Sequence, residues 1–196
     1  MSARWRRLRR DRRGVTAVEF GLLAPVMCLM LMGAYDLLHR GYMQDVLDGE
    51  IQEAGRDSGL EGGALKAAKI DEVLRRQMYR VMPPGSTVET KRDTYPTFLA
   101  IKPERFDDAN ANGRRDTGEC FDDINGNKAW DLKPSRQWQG GANDVTVLRA
   151  TVKLPRLFPM AAMLGWEPEQ TLVSETVLKN QPFAGQAITA PEPICT

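Results

Sequence analysis

The sequence predicts an α+β protein: a long N-terminal transmembrane helix with an amphipathic extension, a second helix, and a small antiparallel sheet that carries a loop insertion. Three observations carry that prediction. From Phe20 to Tyr35 no residue is charged. Apolar residues then recur at helical spacing as far as Pro83-Pro84. Beyond them the chain changes to short Thr- and Val-rich runs, interrupted by an Asp- and Asn-rich repeat. The 196 residues divide accordingly into a basic leader at 1–14, a transmembrane helix and stalk at 15–54, and an α+β head at 55–196, with the repeat at 106–131.

The leader holds Arg4, Arg6, Arg7, Arg9, Arg10, Arg12 and Arg13 against Asp11 alone. Removing those residues from a chain of formal net charge +1 leaves a body at −5. An arginine cluster can bind nucleic acid, but this one lacks interleaved aromatics and a second basic element. It directly precedes the apolar run, so the positive-inside rule accounts for it: the flank stays cytoplasmic and the body is translocated. No nucleic-acid partner is expected.

The apolar run is short against the usual span of about 20 residues, but Leu37 and Leu38 extend it past Asp36. Gly33-Ala34-Tyr35-Asp36 is a poor secretory cleavage site, so the segment is expected to stay as an anchor. Pro25 within it predicts a local kink near Gly21. Glu19 stands at the threshold of the run. A carboxylate carried into hydrocarbon costs roughly 2.5–3.5 kcal/mol, so it requires either a partner or a place in the headgroup region.

The helical pattern outlasts the span. Tyr42, Met43, Val46, Leu47, Ile51 and Ala54 predict an amphipathic stalk to about Ala54, ended by the glycines from Gly55 to Gly63. Ile70, Val73, Leu74, Gln77, Met78 and Val81 predict the second helix. Strands are expected at Ser86–Arg92, Thr97–Lys102, Val145–Leu154 and Thr171–Lys179. The third alternates cleanly, with Thr146, Leu148, Ala150, Val152 and Leu154 on one face. A short helix is expected at Leu157–Leu164, and an irregular tail from Pro182.

The repeat aligns Phe106-Asp107-Asp108-Ala109-Asn110-Ala111-Asn112 with Phe121-Asp122-Asp123-Ile124-Asn125-Gly126-Asn127, and continues to Asp116 and Asp131 at one fixed offset. Asp108, Asn110, Asn112, Asp116 and Glu119 occupy positions 1, 3, 5, 9 and 12 of a calcium loop, with Gly113 at the sharp turn. Alternate residues of such a loop direct oxygens to one centre, and a hard cation needs six to eight of them. The second copy supplies Asp123, Asn125, Asn127 and Asp131 but reaches Pro134 at position 12. It would bind more weakly or share ligands with the first. Without flanking helices this is no EF-hand; it is similar to the calcium loops of dockerin-type and thrombospondin type 3-like repeats. The sheet is thus expected to carry a Ca-binding loop insertion, with Ca2+ as the cofactor. The bland alternative is a solvated turn, which Asn and Asp favour in any case.

Cys120 and Cys195 fall in the translocated body, where an oxidising compartment permits a disulfide; two free thiols are the alternative. Cys28 lies in the span. The one histidine, His39, stands on the stalk beside the membrane without a nucleophile that can be assigned to it, so no enzyme is expected.

Taken together, Arg-Arg-Gly-Val-Thr-Ala-Val-Glu-Phe from Arg12 to Phe20, the proline in the span and Gly33-Ala34-Tyr35-Asp36 resemble the N-terminal segment of TadE-like proteins, minor pseudopilins of the tight-adherence (Tad) pilus system. The resemblance implies that a prepilin peptidase cuts after Gly14, making Val15 the new N-terminus. It matches Glu19 and Phe20 to the family's acidic and aromatic positions. The exposed α-amine of one subunit could then pair with Glu19 of a neighbour. The partners implied are other Tad pilins or pseudopilins and the inner-membrane assembly platform. The location implied is the bacterial inner membrane, with the N-terminus cytoplasmic and the head periplasmic. A competing reading is a permanently anchored calcium-dependent adhesion or sensor domain that keeps its leader and never joins a fibre.

Overall fold

The computed structural model describes residues 14–60, 62–137, 139–158, 165–185 and 191–195. The arginine leader lies outside them, as do residues 159–164 of the expected short helix. Helix α1 runs Val15–Ser58 and helix α2 Gly63–Val81. Strand β1 is Thr87–Tyr95, β2 Cys120–Asp123, β3 Val145–Pro155, β4 Glu169–Lys179 and β5 Glu192–Cys195. One sheet has the order β1-β3-β4 and a second, two-stranded sheet pairs β2 with β5. The α+β expectation therefore holds for the described residues. Two compact units result, Met1–Tyr42 with Pro155–Gln170, and Met43–Leu154 with Thr171–Thr196.

In the first unit the stretch of α1 from Phe20 to Tyr35 is apolar on every side. Its most apolar 18-residue window has a mean hydropathy of 2.0 and none of that window is buried. Such a helix has no water-facing stripe, which is the pattern of a segment meant for hydrocarbon. By length and composition it can cross a membrane, consistent with a single-pass membrane protein. The helix continues through Pro25.

The charge that closes this apolar stretch is neutralised within the same unit. Asp36 is buried, forms an ion pair with Arg156, and accepts a hydrogen bond from Gln170 Nε2 at 3.1 Å. Arg156 also stacks 5.0 Å over the Trp166 ring and donates from Nε to the Glu167 carbonyl at 2.8 Å. Tyr35 meets Phe158 edge to face, with centroids 5.7 Å apart. Asp36 is thus a paired, buried carboxylate.

The second unit is built on a large apolar cluster, with a smaller one around Tyr95, Ala100 and Val145. Met43, Leu47, Ile51 and Ala54 line one side of α1; Leu74 and Met78 come from α2; Leu148, Ala150, Val152 and Leu154 from β3; Val88 and Leu172 from the flanking strands. The expected alternation of β3 is observed: Thr146, Leu148, Ala150, Val152 and Leu154 are all fully buried. β1 runs antiparallel to β3, with Thr90 opposite Ala150 and Tyr95 opposite Val145. A polar network braces one end. Gln139 donates to the Ser58 carbonyl at 3.0 Å, and Asn180 donates to the carbonyls of Gln139 and Gly141 at 3.1 and 2.7 Å.

Three boundaries depart from expectation. α1 does not stop at Ala54 but includes Gly55, where an added Cβ would lie 2.7 Å from Thr176 Cγ2. That glycine serves a close helix–strand approach, and tertiary packing outweighs its poor helix propensity. Thr97–Lys102 is not a strand; Phe98–Ile101 forms a 3-10 turn with Phe98 and Leu99 exposed. Pro96 and Pro103 bracket it, and prolines cannot donate to a ladder. The tail from Pro182 is not wholly irregular, because Glu192–Cys195 forms β5.

Leu148 is fully buried whereas Leu65 on α2 is 93% exposed. Replacing Leu148 with Ala is expected to cost about 2–5 kcal/mol, while Leu65→Ala leaves stability within about 0.5 kcal/mol. Urea unfolding of the full chain in detergent, followed by circular dichroism, measures both.

Candidate functional site

The repeated segment folds into two loops of the same design. In the first, Asp108 accepts backbone hydrogen bonds from Asn112 at Oδ1 and Gly113 at Oδ2, at 3.0 and 2.7 Å. Asn110 Oδ1 accepts from the Asn112 amide and Asn112 Oδ1 from the Arg114 amide, at 3.0 and 2.7 Å. Both side-chain amide nitrogens, Asn110 Nδ2 and Asn112 Nδ2, converge on Asp116 Oδ2 at 2.7 Å. Glu119 closes the loop, taking the Ala109 amide on Oε1 at 3.0 Å and the Asp116 amide on Oε2 at 2.8 Å. The structure thus brings together the five residues that the spacing singled out.

The second loop repeats this pattern. Asp123 accepts from Gly126 and Lys128 at 2.7 and 2.8 Å. Asn125 accepts from the Asn127 amide, and Asn127 from the Ala129 amide, at 3.0 and 2.7 Å. Asn125 Nδ2 and Asn127 Nδ2 converge on Asp131 Oδ2 at 2.8 and 2.6 Å. The backbone agrees as well. Ala111 and Gly113 of the first loop have φ of 58° and 74°, and Gly126 and Lys128 of the second have 78° and 63°. Two non-glycine residues in the left-handed region show how strongly the side-chain oxygens dictate the turn.

Pro134 cannot close the second loop, and Glu104 does so instead. Its Oε1 accepts the Ile124 amide and its Oε2 the Asp131 amide, both at 2.8 Å. Glu104 is 1% exposed, and burial pushes its carboxyl above the usual range while the two amides pull it down and Asp123 and Asp131 push it up. Asp116 shifts the other way, because the amides of Asn110 and Asn112 favour its charged form. Sequence reading missed Glu104, although a signal existed: Glu104-Arg105-Phe106-Asp107-Asp108 and Glu119-Cys120-Phe121-Asp122-Asp123 share the repeat's offset. It also missed Arg156 as the partner of Asp36, which nothing in the local sequence announces.

Among the described residues no set of three or more His, Cys, Asp or Glu side chains forms a metal-ligand cluster. Each loop instead mixes two carboxamides with its carboxylates, which is the oxygen-only donor set that suits a hard cation.

The loops are fastened to the chain terminus. Cys120 and Cys195 form a disulfide, and they face each other in the β2–β5 register. Cys28 is an exposed free thiol on α1. At the other end of the chain, Gly14 precedes the first turn of α1, where its carbonyl accepts the Val18 amide at 3.1 Å. Val15, Glu19 and Phe20 are exposed on the helix surface.

The disulfide spans 75 residues, and in the chain-entropy picture such a closure contributes about 4 kcal/mol. Cys120→Ser with Cys195→Ser is expected to lower the urea midpoint of the β2–β5 region. Dithiothreitol should lower it equally in the wild-type chain and leave the double variant unchanged.

Comparison with curated proteins and with solved structures finds no match. The family model described as TadE-like protein matches residues 14–56, the segment that begins at Gly14 and covers almost all of α1. Over those residues the chain is similar to TadE-like proteins.

Proposed function

We propose that the protein is a minor pilin or pseudopilin that is cut after Gly14 by a prepilin peptidase and assists assembly of a Tad-type pilus. One observation carries this reading: the family match begins at Gly14, immediately before an exposed apolar helix that starts at Val15. In this reading the N-terminus is cytoplasmic, and the arginines before Gly14 hold it there. The head is periplasmic, and the partners are the prepilin peptidase, other Tad pilins or pseudopilins and the inner-membrane assembly platform. Val15 carries the new α-amine after cleavage. Glu19 lies exposed on the helix and is available to a neighbour's amine, which would offset the cost of placing a carboxylate at the membrane. Phe20 beside it packs against the same neighbour.

The head is stabilised by calcium in this proposal. Asp108, Asn110, Asn112, Asp116 and Glu119 would bind one ion, and Asp123, Asn125, Asn127 and Asp131 belong to the second loop. The arrangement fits a hard cation in one further respect. In each loop two carboxamide groups point at a single carboxylate oxygen, and turning each amide over presents oxygen in place of nitrogen with almost no change of shape.

Two measurements test the proposal. Sequencing the N-terminus of the membrane form should give Val15, and Gly14→Ala should retain the leader. An intact leader in the wild-type chain would instead favour the permanently anchored calcium-dependent adhesion or sensor domain. Millimolar calcium should raise the melting temperature of the full chain in detergent, and chelation should reverse the rise. An unchanged melting temperature would remove calcium from the proposal.

A further inference from the structure

Helix α1 keeps an apolar surface beyond its uncharged run. At about 1.5 Å per residue, Phe20 to Tyr35 rises about 24 Å, against roughly 30 Å for a hydrocarbon core. Leu37 and Leu38 follow, 59% and 72% exposed, and Tyr42 is exposed one turn beyond them. Carrying the span through Leu38 brings it to about 28 Å and takes Asp36 into the membrane with its neighbours. Of the two acids that bound the run, Glu19 and Asp36, only Asp36 has an ion-pair partner among the described residues. Asp36 is 3% exposed, as is Gln170, which donates to it. A carboxylate on a helix in water needs neither burial nor a cation. One among lipids needs both, because charges at that depth are tolerated where they pair and face protein.

The cation that pairs with Asp36 brings the β3–β4 connection with it. The Arg156 amide donates to the Pro168 carbonyl at 3.0 Å, and Arg156 Nε to the Glu167 carbonyl at 2.8 Å. These two bonds close the base of the connection, and the ion pair sets that base beside the end of the uncharged run. Phe158 meets Tyr35 there, and the Trp166 ring covers the Arg156 guanidinium. All of these residues belong to the first unit. The sequence from Leu157 to Trp166 contains no charged residue. Leu157 and Trp166 are 37% and 41% exposed. Single exposed apolar side chains are ordinary on a protein surface, but a group of them rimmed by polar residues marks a contact site. This group stands beside a helix whose own exposed apolar surface is suited to lipid.

We infer that Leu157, Phe158 and Trp166 lie in the acyl–headgroup boundary of a phospholipid bilayer, beside the C-terminal end of the α1 span. The chain then contacts the membrane at two places in its sequence, through α1 and through the base of the β3–β4 connection. Trp and Tyr favour this depth because their rings are apolar and their polar tips reach water, which suits Trp166, Tyr35 and Tyr42. The Asp36–Arg156 pair holds the two contacts together without presenting net charge to lipid. The inference rests on α1 crossing the membrane and is independent of cleavage after Gly14 and of calcium.

The test places the full chain in phosphatidylcholine vesicles with Trp166 as its sole tryptophan, using Trp5→Phe, Trp130→Phe and Trp138→Phe. Phosphatidylcholine brominated on its acyl chains quenches tryptophan on contact. Trp166 is expected to lose emission, more to bromines near the headgroup than to bromines near the chain ends. In the same background Trp166→Phe with Leu29→Trp puts the probe within the span, where the deeper bromines should quench more. A second measurement keeps every tryptophan: Leu157→Cys with Cys28→Ser, labelled with the fluorophore NBD and read against nitroxide-labelled phosphatidylcholine. Quenching of that label is expected as well. A quenched span probe beside an unquenched Trp166 and an unquenched label at position 157 would overturn the inference. If aqueous iodide also failed to reach those two positions, protein rather than lipid would cover them, and the inference would fall equally. An unquenched span probe would instead remove the membrane span on which the inference rests.

Discussion

One helix has to satisfy two environments, and the sequence of α1 changes character where the requirement changes. From Phe20 to Tyr35 it carries no charge on any side, whereas from Met43 it carries a single apolar stripe with acids between. The first pattern cannot be buried by any one neighbour, and the second cannot face hydrocarbon. Between them stands Asp36, whose charge is cancelled by Arg156 instead of being left to water. Removing one partner of such a buried pair costs about 3–5 kcal/mol, because the other is left uncompensated. Met43, Leu47, Ile51 and Ala54 then act as one wall of the core, and α2 and the three-stranded sheet supply the rest.

The insertion between β1 and β3 follows a different principle. Besides Phe121, which is 2% exposed, and the small cluster around Ala100, its order comes from oxygen atoms that accept backbone amides. Asp108, Glu119, Asp123 and Glu104 each take two such bonds. Charge-assisted hydrogen bonds of this kind are shorter and stronger than neutral ones, so they can fix a loop without an apolar core. Phe106 and Trp130 add an edge-to-face contact at 5.9 Å across the two repeats.

What could be read from sequence follows from whether the signal is local. The α1 stripe, the α2 stripe and the alternation of β3 are periodicities within one segment, and each reappears, with Tyr42 and Val81 at the edges of the stripes left exposed. The spacing of the Asp- and Asn-rich loop is equally local, and hydrogen bonds link the residues it singled out. β5 was illegible because it exists only by pairing with β2, far away in sequence, and because Pro191 and Pro193 suggest an irregular tail. Thr97–Lys102 looked like a strand by composition, but flanking prolines and the small cluster around Tyr95, Ala100 and Val145 turned it into a 3-10 turn. Glu104 lay in plain view at the repeat's offset. Such a loop is read forward from its first aspartate, whereas Glu104 closes the second loop from a position before the first.

Residues 119–123 concentrate constraints that are usually spread along a chain. Glu119 closes the first loop, Cys120 is bonded to Cys195, Phe121 bridges Phe106, and Asp123 opens the second loop. Successive side chains of an extended segment point to opposite sides, so neighbours can serve different partners without competing. A displacement of β2 would therefore disturb both loops and the chain terminus together. Local opening of a protein usually begins where apolar contacts are few, and this insertion has few. The disulfide and the shared strand counter that tendency by making the two loops and β5 open as one unit or not at all. An oxidised terminus and ordered loops are thus mechanically the same condition, which gives a head with only one substantial apolar core a second, independent centre of order.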